Sequence, residues 1–215
     1  MFGVFITIEG VEGCGKSTQI RLLDEYLRAQ GFHTRVTRDP GGTPIGEHIR
    51  ELLLSPESSE MTPRCELLLF AAARAQLLGE IIRPYLRAGT IVLSDRFSAS
   101  TYAYQGVALG LGPSAFEAAD GTATEGQRPD LTIILDVPAA EGMERKNNEV
   151  GATSDRIERR DMEFHERVRE GYLSYARRHP DRVVVLDGRH SEDAVHQQVI
   201  QAVAPILPER RPDKG

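Results

Sequence analysis

At 215 residues and a formal net charge of −6, the chain is long enough for one sizeable core with room for an inserted mobile segment, and hardly long enough for two independent domains. The acidic balance gives no general electrostatic reason to bind nucleic acid or an anionic membrane, so any recognition of phosphate must be local. No apolar run approaches a membrane span, Met1-Phe2-Gly3 carries no basic leader, and the two cysteines, Cys14 and Cys65, fit neither a disulfide nor a metal pattern, so a cytoplasmic protein is expected.

Val4 to Ile8 is an apolar run that reads as a buried strand. Gly10-Val11-Glu12-Gly13-Cys14-Gly15-Lys16-Ser17-Thr18 follows it and opens a helical pattern, with Ile20, Leu23 and Leu27 as its apolar positions. The match to G-x-x-x-x-G-K-S/T is complete. Glycines let backbone N–H groups wrap an anion, Lys16 supplies a charge for the outer phosphates of a nucleotide, and Ser17 offers a hydroxyl to magnesium. The helix directs its positive end at the same place and closes at Gly31.

Phe32 to Thr37 reads as a short strand ending in Arg38-Asp39-Pro40-Gly41-Gly42. Thr43-Pro44 and Thr62-Pro63 are helix starts, and Pro84 is expected to kink or end the second of these helices. Phe70 and Arg74 lie four residues apart on that helix and share a face, and an arginine in a largely apolar helix needs partners. Thr90 to Leu93 is a buried strand with Ser94-Asp95-Arg96 at its carboxyl end, where ligands bind in open parallel sheets. Asp95 is therefore a candidate acid near the metal, and Arg96 a candidate phosphate clamp.

Ser100 to Gly106 is rich in hydrogen-bonding groups suited to a planar polar ligand, and a small helix is expected from Ser114 to Thr124. Further strands are expected at Leu131 to Leu135 and Val183 to Leu186. Between them, residues 141 to 160 read as a mobile lid carrying Arg145, Arg156 and Arg160, because Asn147 to Ser154 has almost no apolar anchor. The scattered histidines lack ligand spacing, and the chain from 207 to 215 reads as a polar tail after one domain spanning 1 to 206. Strands near positions 4, 34, 91, 132 and 184 alternate with helices, which predicts an α/β fold with a five-stranded parallel sheet.

Several blocks in this order and spacing resemble the thymidylate kinase (dTMP kinase) family, in its bacterial form: Ile8 to Thr18, Arg38 to Thr43, Phe70 to Arg74, Asp95-Arg96-Phe97, Ala103 to Gly106, and Asp155 to Glu158. The resemblance implies a P-loop nucleoside-monophosphate-kinase fold, a homodimer, and Mg²⁺-assisted transfer of the γ-phosphoryl group of ATP to dTMP. It implies that Gly10 to Thr18 hold ATP, that Glu12 meets the deoxyribose, and that Asp39 belongs to the acceptor site. Phe70, Arg74, Thr101 and Gln105 would meet the thymine, Tyr104 would crowd the sugar, Arg50 and Arg96 would grip the dTMP phosphate, and Ser17 with Asp95 would lie at the metal. The loop Glu12-Gly13-Cys14 has no arginine, so the resemblance makes Arg156 the candidate cation on the transferring phosphate, alone or with Arg145 or Arg160. Arg145 with Asp187 to Arg189 stands as an alternative, adenine-facing pair. A kinase of another small acceptor and a P-loop switch ATPase are the competing readings.

Overall fold

The computed structural model describes residues 3–148 and 154–208. In chain order the elements are β1 (Phe5–Glu9), α1 (Lys16–Ala29), β2 (Thr34–Arg38), α2 (Pro44–Leu54), α3 (Pro63–Leu77), α4 (Arg83–Arg87) and β3 (Ile91–Asp95). They continue with α5 (Ser98–Thr101), α6 (Gly112–Thr124), β4 (Leu131–Asp136), α7 (Ala139–Asn147), α8 (Met162–Arg178), β5 (Val183–Asp187) and α9 (Glu192–Val203). The five strands form one parallel sheet in the order β2-β3-β1-β4-β5, with helices between successive strands. This is the α/β architecture that the alternation of apolar runs predicts.

β1 is buried along its whole length, and β3 and β4 are buried except at their last residue. Strands this apolar suit the middle of a sheet covered on both faces. The edge strand β2 is only partly buried, which matches its alternating threonines and arginines. The order in which strands are added to the sheet reverses beside β1, since β3 pairs on one side and β4 on the other. The carboxyl ends of those three strands therefore open a crevice at the switch point, the position where such sheets bind ligands.

Helix starts follow the local chemistry read from sequence. Thr43 Oγ1 accepts from Gly46 N at 3.0 Å, Thr62 Oγ1 accepts from Cys65 N at 3.4 Å, and each is followed by a proline at the first helical position. Pro84 does not end its helix abruptly. A π-helical turn, Leu78–Ile82, runs directly into α4, and its wider turn accommodates Pro84, which has no N–H to give the preceding carbonyls. A second π-helical stretch, Tyr102–Ala108, continues α5. Four strands run one or two residues past their apolar core and end in an acid, namely Glu9, Asp95, Asp136 and Asp187. Hydropathy stops at the last apolar side chain, whereas the backbone ladder continues into the polar crevice. Part of the expected lid loop, 149–153, and the expected tail from 209 lie outside the described residues.

Candidate active site

The loop between β1 and α1 takes the shape its glycines require. Gly10 and Gly13 have φ of 138° and 68°, and a Cβ on Gly13 would come 1.9 Å from Gly142 O. Only glycine combines that backbone with that approach. Lys16 folds back over the loop and donates through Nζ to Val11 O at 2.8 Å and Gly10 O at 3.3 Å, so its charge stands over the anion cradle. The loop lines one wall of a cleft of about 550 Å³, which Arg50, Phe70, Asp95, Arg96, Tyr104 and Gln105 also line. The candidates drawn from distant blocks of the sequence thus share one cavity.

Arg96 stands at the centre. It has a φ of 69°, a conformation that costs energy for a residue with a side chain, and its backbone N–H donates to Ile8 O at 3.1 Å. Its guanidinium pairs with the Glu12 carboxylate, donates to Tyr172 Oη at 2.6 Å and Gly10 O at 2.9 Å, and lies 5.4 Å over the Tyr104 ring. Burial pushes the Glu12 carboxyl up, but the Arg96 and then the Lys16 charges more than offset this and hold it at about 2. Glu12 is thereby a fixed anion, and Tyr104 donates to it at 3.2 Å.

Beneath Arg96 lies Glu9, fully buried, which accepts from Phe97 N at 2.7 Å and Ser100 Oγ at 2.6 Å. These bonds clamp the backbone on the far side of the strained arginine. Burial pushes the Glu9 carboxyl up to about 7, with the Ser100 hydrogen bond and the Arg96 charge opposing it. Arg50 donates to Pro40 O at 3.1 Å, and burial together with the nearby Arg38 and Arg96 charges pushes its pKa down, as expected for a cation facing other cations across a site built for an anion.

Phe70 and Gln105 also line the cleft. Arg74 and Thr101 sit behind them, buried, and take part through a network. Arg74 donates to Asp39 at 2.7 Å, to Asp120 at 2.9 Å and to Thr101 Oγ1 at 2.6 Å, and lies 5.1 Å over the Phe97 ring. These are the partners that a buried guanidinium requires.

Arg156 is placed differently from expectation. It does not line the cleft; it donates to Glu66 Oε2 at 2.6 Å and to Leu53 O at 2.9 Å, while its backbone N–H meets Leu54 O at 3.1 Å. Two forces draw it there: the fully buried Glu66 carboxylate needs counter-charge, and the last carbonyls of α2 need donors. Arg160 also reaches Glu66 Oε2, at 2.6 Å. From the same part of the chain, Arg145 and Lys146 face the cleft, and Arg145 donates to Gly188 O at 3.0 Å, joining the two parts of the alternative adenine-facing pair. Glu9, Glu66, Asp120 and Tyr172 were not singled out from sequence. Glu66 alone carried a local signal, standing four residues before Phe70 on one helix face.

Among the described residues no three acids, cysteines or histidines cluster as a metal cage. Magnesium at phosphate-transfer sites is held mainly by phosphates, water and one or two protein oxygens. Ser17 is exposed to the cleft, and the buried Asp95 Oδ1 has no hydrogen-bond partner among the described residues, so both fit such an ion.

Comparison with known proteins agrees with this geometry. The thymidylate kinase family model matches residues 8–199. A thymidylate kinase of Roseiflexus sp. (strain RS-1) is 47% identical over 214 residues, covering 95% of this chain and 95% of the relative. One from Caldanaerobacter subterraneus subsp. tengcongensis is 44% identical, covering 96% and 98%. The crystal structure of thymidylate kinase from Ehrlichia chaffeensis superposes with a TM-score of 0.77 at 34% identity, covering 95% of this chain and 99% of that one. A phosphate loop facing a second, cation-lined pocket, on a sheet shared with these enzymes over nearly its whole length, places the chain in the thymidylate kinase family.

Proposed function

We propose that the cleft transfers the γ-phosphoryl group of ATP to the phosphate of dTMP, giving ADP and dTDP for dTTP synthesis. The observation that carries this reading is the shared cavity: the phosphate loop with Lys16, Arg96 packed against that loop through Gly10 O and Glu12, and Arg50, Phe70 and Gln105 line one cleft. Two anions can be held there with their phosphates adjacent.

Gly10 to Thr18 hold the ATP phosphates. Arg50 and Arg96 hold the dTMP phosphate, whose oxygen attacks the γ-phosphorus as the bond to the β-phosphate oxygen breaks. That nucleophile is already anionic, so no general base is needed, and catalysis consists of alignment and charge neutralisation. Lys16, Arg96 and Asp95 act at the reacting phosphates. Mg²⁺, held by Ser17 and Asp95 when bound, supplies further neutralisation of the phosphate oxygens. Among the described residues Arg145 and Lys146 are the lid cations that face the cleft, and Arg156 reaches the reaction only if it leaves Glu66. Glu12, its charge fixed by Arg96, is set to accept from the deoxyribose hydroxyl, with Tyr104 beside it. Phe70 stacks on the thymine and Gln105 meets its edge, with Arg74, Thr101 and Asp39 supporting that end.

We further propose a cytoplasmic homodimer formed through α3 and α6. Leu68 is 62% exposed there beside Ala72, Ala115 and Ala119, an apolar face suited to a second copy. Among the described residues no helix is long and apolar enough to cross a membrane. Light scattering of the wild-type chain and of Ala72→Arg checks the dimer: a dimer reduced to monomer by the substitution supports it, and a wild-type monomer refutes it. For the activity, ATP and Mg²⁺ are offered with dTMP, dAMP, dCMP or thymidine, and ADP is measured. Preference for dTMP is expected; preference for any of the others overturns the assignment.

A further inference from the structure

We infer that Glu66 is a positioning residue that fixes which face of the Gln105 amide points into the cleft, and so makes the pocket select a pyrimidine that carries a proton on N3. The inference rests on the reading above that Gln105 meets the base of the acceptor. Glu66 is fully buried in the first turn of α3, one turn before Phe70. Its two oxygens have different partners. Oε2 accepts from Arg156 Nη2 and Arg160 Nη2, each at 2.6 Å, and Oε1 accepts from Gln105 Nε2 at 2.8 Å.

A carboxylate ion-paired with two guanidinium groups offers only lone pairs. The Gln105 amide must therefore turn its NH₂ towards Glu66, because the flipped arrangement would set two oxygens against each other between two buried side chains. Its carbonyl is left for the cleft wall, and among the described residues Oε1 of Gln105 accepts no hydrogen bond. An oriented acceptor in the cleft that Phe70 also lines suits the N3–H of thymine or uracil. Cytosine presents a lone pair at N3, so the same carbonyl would meet it oxygen to nitrogen with no proton between. Gln105 in isolation can present either end of its amide. The buried charge on α3, clamped by Arg156 and Arg160, removes that freedom. The same bonds join the segment after the lid loop to the base pocket, so residues 90 positions or more apart in sequence set one hydrogen-bond polarity.

The test compares dTMP with 5-methyl-dCMP, which differ only in the C4 substituent and the N3 proton. Glu66→Gln can itself donate or accept, so it frees the Gln105 amide. Glu66→Asp keeps the charge for the arginines but withdraws it by one methylene, and serves if the first variant fails to fold by circular dichroism. In each folded variant the ratio of kcat/KM for dTMP over 5-methyl-dCMP is expected to fall by at least about tenfold, with KM for ATP unchanged. Equal losses for both acceptors, leaving the ratio unmoved, would show that Glu66 only anchors the helix and lid, and would overturn the inference. Gln105→Leu separates the two levels. If it leaves the ratio unchanged, the base contact itself is wrong; if it collapses the ratio while the Glu66 variants keep it, only the orienting role of Glu66 is lost.

Discussion

Replacing Arg96 by Met removes the cation around which the cleft is assembled and leaves Glu12 without its main counter-charge. Glu12 is held at about 2 against an ordinary 4.5. At about 1.4 kcal/mol for each tenfold change in ionisation, that difference is about 3 kcal/mol in favour of the charged form in the folded protein. Because the folded value is depressed, this contribution is fully present above pH 4.5 and is lost as pH falls from there through about 2. Burial opposes ionisation, so without Arg96 the Glu12 carboxyl rises, with Lys16, the Tyr104 hydrogen bond and Lys146 still holding it down, and the variant loses most where ionised Glu12 contributes, at neutral pH. Urea unfolding of wild type, Arg96→Met, Glu12→Gln and the double variant at pH 7 measures this directly. The arginine variant is expected to lose about 3 to 5 kcal/mol, the cost of stranding a buried partner. The double variant should lose clearly less than the two singles together, with a coupling of about 1 to 3 kcal/mol. Any strain from placing Met at a φ of 69° occurs in both arms and cancels. Additivity within about 0.5 kcal/mol would refute the claim that Arg96 and Glu12 hold one another.

Three further substitutions probe other parts of the site. Lys16→Ala is expected to lower kcat by about 10²- to 10³-fold with the fold retained by circular dichroism, and steady-state kinetics with near-normal turnover would remove it from the phosphate site. Arg74→Ala strands Asp39 and Asp120, so its melting temperature should fall, and calorimetric titration should show dTMP weakened far more than ATP. Equal losses for both nucleotides would confine Arg74 to stability. Glu9, raised to about 7, stays protonated in the folded chain across a range where the unfolded chain, near 4.5, has already ionised. It therefore costs stability progressively as pH rises from 4.5 to about 7, by about 3 kcal/mol in all. Thermal melts from pH 5 to 8 should show Glu9→Gln gaining on wild type as pH increases, and parallel curves would contradict the assigned burial effect.

What sequence disclosed and what it withheld divide along a physical line. The phosphate loop, the threonine caps at Thr43 and Thr62, and the five strands are local patterns, set by side chains within a few residues of one another, and each stands where its chemistry required. Asp95-Arg96 was legible because a polar pair after an apolar strand marks the binding edge of a parallel sheet. The partners of those residues were not legible. Arg74 finds Asp39 and Asp120 at separations of 35 and 46 residues, and Glu9 finds Phe97 at 88, so no periodicity connects them. Arg156 shows the same limit from the other side. Its family position pointed to the transferring phosphate, but where it rests is decided by a buried acid on α3 and by the free carbonyls ending α2. The π-helical turns were hidden too, since no residue type marks where a helix takes up an extra residue in one turn.

The central claim is that one cavity joins two nucleotides and moves a phosphoryl group between them without releasing it to water. The most direct measurement supplies ATP labelled in its γ-phosphate together with dTMP and Mg²⁺, then separates the products after a single turnover. Label recovered in dTDP, one for each ADP formed, is the expected result. Label appearing as inorganic phosphate, or ADP formed at the same rate without dTMP, would contradict it and make the chain a nucleotide hydrolase.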